Sequence, residues 1–107
     1  NKSVLKVYII QSTDRKLPLE DIASSKGLKM QDLIVEMDRI VQSGTKINID
    51  YYLEDIMDED SIEEVFDFLT EECESGSMTE LLEEFGDDYN ENELQLLRLK
   101  FFSDVAN

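Results

Sequence analysis

Apolar residues recur with helical spacing through most of the chain. Met30, Leu33, Ile34, Met37, Ile40 and Val41 fall three or four residues apart, while Gln31, Asp32, Glu36, Asp38 and Arg39 take the opposite face. This stripe predicts a helix from Lys29 to the break at Ser43-Gly44-Thr45. A shorter helix over residues 18–25 precedes it, with Pro18 in its first turn, Leu19, Ile22 and Ala23 inward, and Gly27 as its stop. Further upstream, Val4 to Ile10 is continuously apolar apart from Lys6. It fits a strand, but Leu5/Tyr8/Ile9 and Val4/Val7/Tyr8 also fit a helix, and a helix ending before Ser12-Thr13-Asp14 is expected. After residue 46 the period changes. Ile47, Ile49 and Tyr51 alternate with Asn48 and Asp50, which predicts a short strand or extended wing.

The remainder returns to helical spacing. Ile62, Val65, Phe66, Leu69 and Cys73 form one stripe, with Asp60 or Ser61 as the expected N-cap and Glu63 and Glu64 in the first turn, where carboxylates complement the helix dipole. Ser75-Gly76-Ser77 reads as a turn, and Met78, Leu81, Leu82 and Phe85 as a short helix ended by Gly86. Asn90 or Asn92 caps a last helix whose Leu94, Leu96, Leu97, Leu99, Phe101, Phe102 and Val105 cover more than one face. A helix that apolar is central to its fold or half of an interface with another chain or domain. The fold class is therefore mostly α: a helix-turn-helix, winged-helix-like first half, then an acidic helical second half, about six helices with at most a short strand. The units are residues 1–49 and 50–107, expected to pack as one compact domain of 107 residues.

Charge divides the chain more sharply than hydropathy does. The net charge is −16, yet residues 1–46 hold eight Lys/Arg against six Asp/Glu, and residues 47–97 hold nineteen Asp/Glu with no basic residue. Affinity for nucleic acid rests largely on neutralising phosphates, so any contact with DNA is confined to the first half. Cys73 has no second cysteine to pair with, which points to a core role and a reducing compartment. Asn1 rather than Met opens the sequence, so the chain is expected to be a piece of something larger.

Candidate chemistry is sparse. The chain has no His, no glycine-rich phosphate loop and no nucleophile paired with a base, so catalysis is not expected of it. The calcium-loop pattern fails at Asp88-Asn90-Asn92, where Glu93 stands in place of the required Gly and Leu99 in place of the bidentate Glu. No metal and no cofactor is expected. No apolar run is long enough for a membrane span. The specific constellation is Ile22, Ala23, Gly27, Leu28 and Leu33: a small residue where two helices cross, a glycine for the left-handed turn, and leucines anchoring the second helix. The exposed face of that second helix is mostly acidic, whereas bases are typically read by Arg, Lys, Asn and Gln. Lys16, Lys26, Lys29, Gln31, Arg39 and Lys46 are the DNA-contact candidates, suited to phosphates rather than to sequence.

These residues carry a resemblance. Leu17-Pro18-Leu19-Glu20-Asp21-Ile22-Ala23, then Lys26-Gly27-Leu28 and the helix after it, resemble the helix-turn-helix domain at the C-terminal end of bacterial RecQ-type DNA helicases. Ile49-Asp50-Tyr51-Tyr52-Leu53 with Asp58-Glu59-Asp60 is similar to that domain's acidic linker. The runs Leu81 to Tyr89 and Glu93 to Arg98 are similar to its closing helix pair. The resemblance spans residues 15–103 and implies a parent enzyme that unwinds DNA 3′ to 5′ in repair and recombination, in the bacterial cytoplasm at the nucleoid. ATP and Mg would belong to the parent's motor domains, whose motifs are absent here. Two roles for the chain are expected. One is an accessory domain contacting DNA weakly. The other is a module docking on the helicase core or another protein, or dimerising through Leu96, Leu99 and Phe102, with an acidic DNA-mimic-like surface.

Overall fold

The computed structural model describes the backbone of residues 2–106 and the side chains of residues 3–105. Within them it contains seven helices and no strand. The first half is built from α1 (Lys2–Asp14), α2 (Leu19–Ser25) and α3 (Met30–Gln42). Each ends in the same hydrogen-bonded turn, in which a left-handed residue lets the next amide reach five residues back. The Leu28 amide bonds Ala23 O at 2.9 Å past Gly27 (φ +67°), and the Thr45 amide bonds Ile40 O at 3.2 Å past Gly44 (φ +95°). At the end of α1 the Leu17 amide bonds Ser12 O at 3.1 Å, but the left-handed residue is Lys16 (φ +60°), where glycine would fit without strain.

The polar cluster Ser12-Thr13-Asp14 does not end α1; the helix runs through it. Ser12 and Thr13 are buried, and Thr13 Oγ1 donates back to the carbonyls of Ile9 and Ile10, each at 3.0 Å. A hydroxyl that bonds its own helix presents its methyl side to the core and reads as polar only on paper.

The expected strand over residues 47–51 is absent. Ile47 and Ile49 are buried, as their alternation implies, but the segment is irregular, Ile49 lies at φ −120° and ψ 20°, and α4 (Asp50–Ile56) starts at once. Its pairing comes from a side chain: Ser103 Oγ accepts the Ile47 N–H at 2.9 Å and donates to the Ile47 carbonyl at 3.3 Å. The tyrosines of α4 reach back to the first half. Tyr51 donates to Leu17 O at 2.5 Å, and Tyr52 hydrogen-bonds the Glu20 carboxylate.

The acidic half comprises α5 (Glu59–Glu71), α6 (Met78–Phe85) and α7 (Glu91–Ala106). The N-cap of α5 is Asp58, whose carboxylate accepts the Ser61 N–H at 2.7 Å, so Asp60 and Ser61 lie inside the helix. Ser77 caps α6. Asn90 caps α7 in a reciprocal box, with the Glu93 amide on Asn90 Oδ1 at 2.8 Å and the Asn90 amide on Glu93 Oε1 at 2.9 Å.

The last helix is the axis of the molecule. It packs against α3, α4, α5 and α6, burying Leu94, Leu96, Leu97 and Leu99. Each such leucine contributes on the order of 2 kcal/mol by leaving water. This corrects the expected dimer face: Leu96 and Leu99 are 2% and 1% exposed and belong to the chain's own core. Phe102 is half-buried, edge-on to Phe101 and over Gly76. The boundary between residues 49 and 50 falls at the start of α4, and α7 crosses back over it to pack on α3.

Candidate nucleic-acid interface

Ion pairing in the folded chain sorts the basic residues into two groups. Arg39 is held by Glu36, one turn back on α3, at 2.5 Å. Lys46 lies 3.9 Å from Asp104, whose same oxygen sits 2.6 Å from the Lys100 ammonium. Lys100 is 4% exposed and also faces Asp50 at 3.4 Å. Arg98 lies 3.6 Å from Asp38. All four thus have carboxylate partners and offer little free charge to a phosphate. Among the described residues, Lys6, Arg15, Lys16, Lys26 and Lys29 have no carboxylate partner; Lys6 is half-buried and donates to Ser43 Oγ at 3.3 Å, and the other four are exposed.

The candidates from the sequence therefore divide. Lys16, at the end of α1, Lys26, at the end of α2, and Lys29, just before α3, are exposed and available; Gln31 is exposed in the first turn of α3. Arg39 and Lys46 are exposed too, but each faces a carboxylate. Arg15 was missing from the set. In the sequence it is one basic residue among ten, and only the pairing pattern distinguishes it.

A second group appears where α1 meets the end of α2. Lys26 Nζ lies 4.4 Å from the centroid of the Tyr8 ring, and the Tyr8 hydroxyl is hydrogen-bonded to Ser25 Oγ. Ser25 is itself fixed by donating to Ile22 O at 3.0 Å. The Ser25 hydroxyl beside it, with the fields of Lys26 and Arg15, holds the Tyr8 phenol below its ordinary pKa.

The outer face of α3 is not free on both sides. Ile34, Val35, Asp38 and Arg39 share a groove with Met78 of α6 and with Gln95 and Arg98 of α7. Arg98 holds this corner: its Nε donates to Gly76 O at 2.5 Å, and its guanidinium stacks on Phe102 at 4.9 Å. A major groove is about 12 Å wide, and a helix with its side chains is roughly 10–12 Å across. Such a groove accepts α3 alone, and a helix flanking it would meet the phosphate strand.

Elsewhere on the acidic half, Glu64, Asp67, Glu71, Glu72 and Glu84 rim a groove between α5 and α6 floored by Phe68 and Phe85, whose rings meet edge-on at 5.4 Å. Among the described residues no group of three or more His, Cys, Asp or Glu is placed to hold a metal ion, and no helix is long and apolar enough to cross a membrane.

A three-helix unit with a left-handed glycine between its second and third helices, an anchored third helix and a basic edge is a helix-turn-helix domain. Residues 3–53 match the RecQ-1-like helix-turn-helix domain family, and this part of the chain is a RecQ-type helix-turn-helix domain. The match ends within α4, before the acidic helices. A comparison with curated proteins returned no match.

Proposed function

We propose that the chain is an accessory domain of a RecQ-like 3′–5′ DNA helicase, active in repair and recombination in the bacterial cytoplasm, which contacts DNA weakly and without sequence preference. One observation carries the reading: Arg15, Lys16, Lys26 and Lys29, all in the helix-turn-helix half, have no carboxylate partner, whereas Arg39, Lys46, Arg98 and Lys100 are paired. Free cations release counterions from DNA; paired ones contribute little. The chain itself is non-catalytic in this reading, and ATP and Mg serve the parent's motor.

The test is a salt titration of binding to forked and single-stranded DNA. Four phosphate contacts give a slope of about −3 to −4 in log affinity against log salt, a loss of roughly a hundredfold between about 50 and 200 mM. No binding at the lower salt would sink the proposal.

A second reading has its own observation, the aromatic-floored acidic groove between α5 and α6. In it the acidic half docks on a basic surface of the helicase core or of another protein. Deleting these helices from the parent should then lose a partner or change the unwinding rate; if neither changes, this reading fails.

A further inference from the structure

The free cations do not lie on the outer face of α3, the helix that a helix-turn-helix ordinarily inserts into the major groove. That face carries Asp32, Glu36 and Asp38, its Arg39 is paired, and α6 and α7 flank it. Arg15 and Lys16 close α1, Lys26 closes α2, and Lys29 lies in the turn after it. Arg15 follows the last residue of α1, and its amide still bonds Gln11 O at 3.1 Å, so it continues the helical path and lies two turns beyond Tyr8 on the same side. Helical side chains lean toward the N-terminus, which brings the guanidinium of Arg15 back along α1 toward Tyr8.

We infer that the junction of α1 and α2 is a seat for a DNA backbone phosphate, with Lys26 and Arg15 supplying charge and the Tyr8 hydroxyl supplying a hydrogen bond. The Tyr8 ring fixes the ammonium of Lys26 at 4.4 Å from its centroid, which holds one charge in place beside the two hydroxyls. Tyr8 turns its proton from Ser25 to the phosphate oxygen when DNA arrives; Ser25 keeps its own bond to Ile22 O. The pKa of Tyr8 is lowered first by the Ser25 hydrogen bond and then by the Ser12 hydroxyl, and the fields of Lys26 and Arg15 add to the shift. Phosphate contacts of this kind position a protein on DNA and carry no sequence information. The duplex or single strand then runs along the α1–α2 edge, and α3 stays out of the groove.

This inference rests on the DNA-contact reading, and one set of variants separates the two. Binding of fluorescently labelled forked DNA to the full chain is measured at several salt concentrations, with circular dichroism confirming the fold of each variant. Arg15→Gln combined with Lys26→Gln is expected to weaken binding about tenfold or more at low salt and to flatten the salt slope by roughly two. Tyr8→Phe is expected to weaken it at least twofold, and Arg39→Gln with Lys46→Gln to leave it within twofold. If the parent chain binds but either the Arg15/Lys26 or the Tyr8 variant matches it, the seat is overturned while the DNA reading stands. If the unaltered chain does not bind at all, both fall together.

Discussion

Replacing Ser103 with alanine removes one oxygen from the centre of the molecule. That oxygen serves both backbone groups of Ile47, accepting its N–H at 2.9 Å and donating to its carbonyl at 3.3 Å across 56 residues of sequence. Ser103 is 0% and Ile47 1% exposed, so water does not replace the lost partner. A buried donor left unpaired costs about 1–3 kcal/mol, and the longer, weaker bond to the carbonyl adds little. The expected destabilisation is about 2 kcal/mol, on the order of a 10 °C fall in Tm for a chain of this size. Urea unfolding followed by circular dichroism and by tyrosine absorbance measures it. The midpoint should drop, the slope should hold, and the two probes should coincide, because Ser103 ties the helix-turn-helix half to α7. A loss below about 0.5 kcal/mol, the range of ordinary surface changes, would refute the claim that this hydroxyl substitutes for a strand partner. Separate transitions from the two probes would refute the claim of a single cooperative unit.

Four further outcomes follow from the same geometry. Gly76→Ala should cost about 2 kcal/mol in thermal unfolding, because φ is +68° and the added Cβ would sit 2.6 Å from the Phe102 ring. Lys16→Gly should do the opposite, raising stability by roughly 0.5–1 kcal/mol through relief of its left-handed backbone, while weakening DNA binding through the lost charge. Burial pushes the Tyr51 phenol up to about 12, and burial with the Glu20 hydrogen bond raises Tyr52 as well. Their contribution is fully present below the ordinary value of 10 and is lost as pH rises through 12, so alkaline unfolding should begin in that window and a spectrophotometric titration should show late-ionising tyrosines. Hydrogen bonds from the Ser75 hydroxyl and the Ser75 and Glu74 amides hold the Glu80 carboxyl down at about 2. That support is complete above the ordinary value of 4.5 and lost as pH falls toward 2, and Glu80→Gln should flatten stability across that interval.

The stripes of α3 and α5 were legible because each helix buries one face and meets water with the other, which writes a 3.6-residue period directly into the chain. The same reasoning stopped α1 too early. Ser12 and Thr13 look like surface residues, and only the carbonyls one turn back show how Thr13 satisfies its hydroxyl inside the core. It also turned the alternation of Ile47, Ile49 and Tyr51 into a strand. The alternation is real, but a segment needs a hydrogen-bonding partner to become a strand, and the partner here is a serine on a distant helix. Among the contact candidates, Lys16, Lys26, Lys29 and Gln31 stand on open surface, but that Arg39 and Lys46 face carboxylates depended on how the chain folds.

Helical class, the turn at Gly27 and the split between a mildly basic and a strongly acidic half are properties of neighbours in sequence, since periodicity, glycine and local charge act over a few residues. Residues distant along the chain settle the rest. Whether the apolar sides of α7 face a partner or the interior depends on four other helices arriving around it. Whether a lysine is free to meet a phosphate depends on whether folding has brought a carboxylate beside it, and Coulomb energy follows that separation, not sequence order.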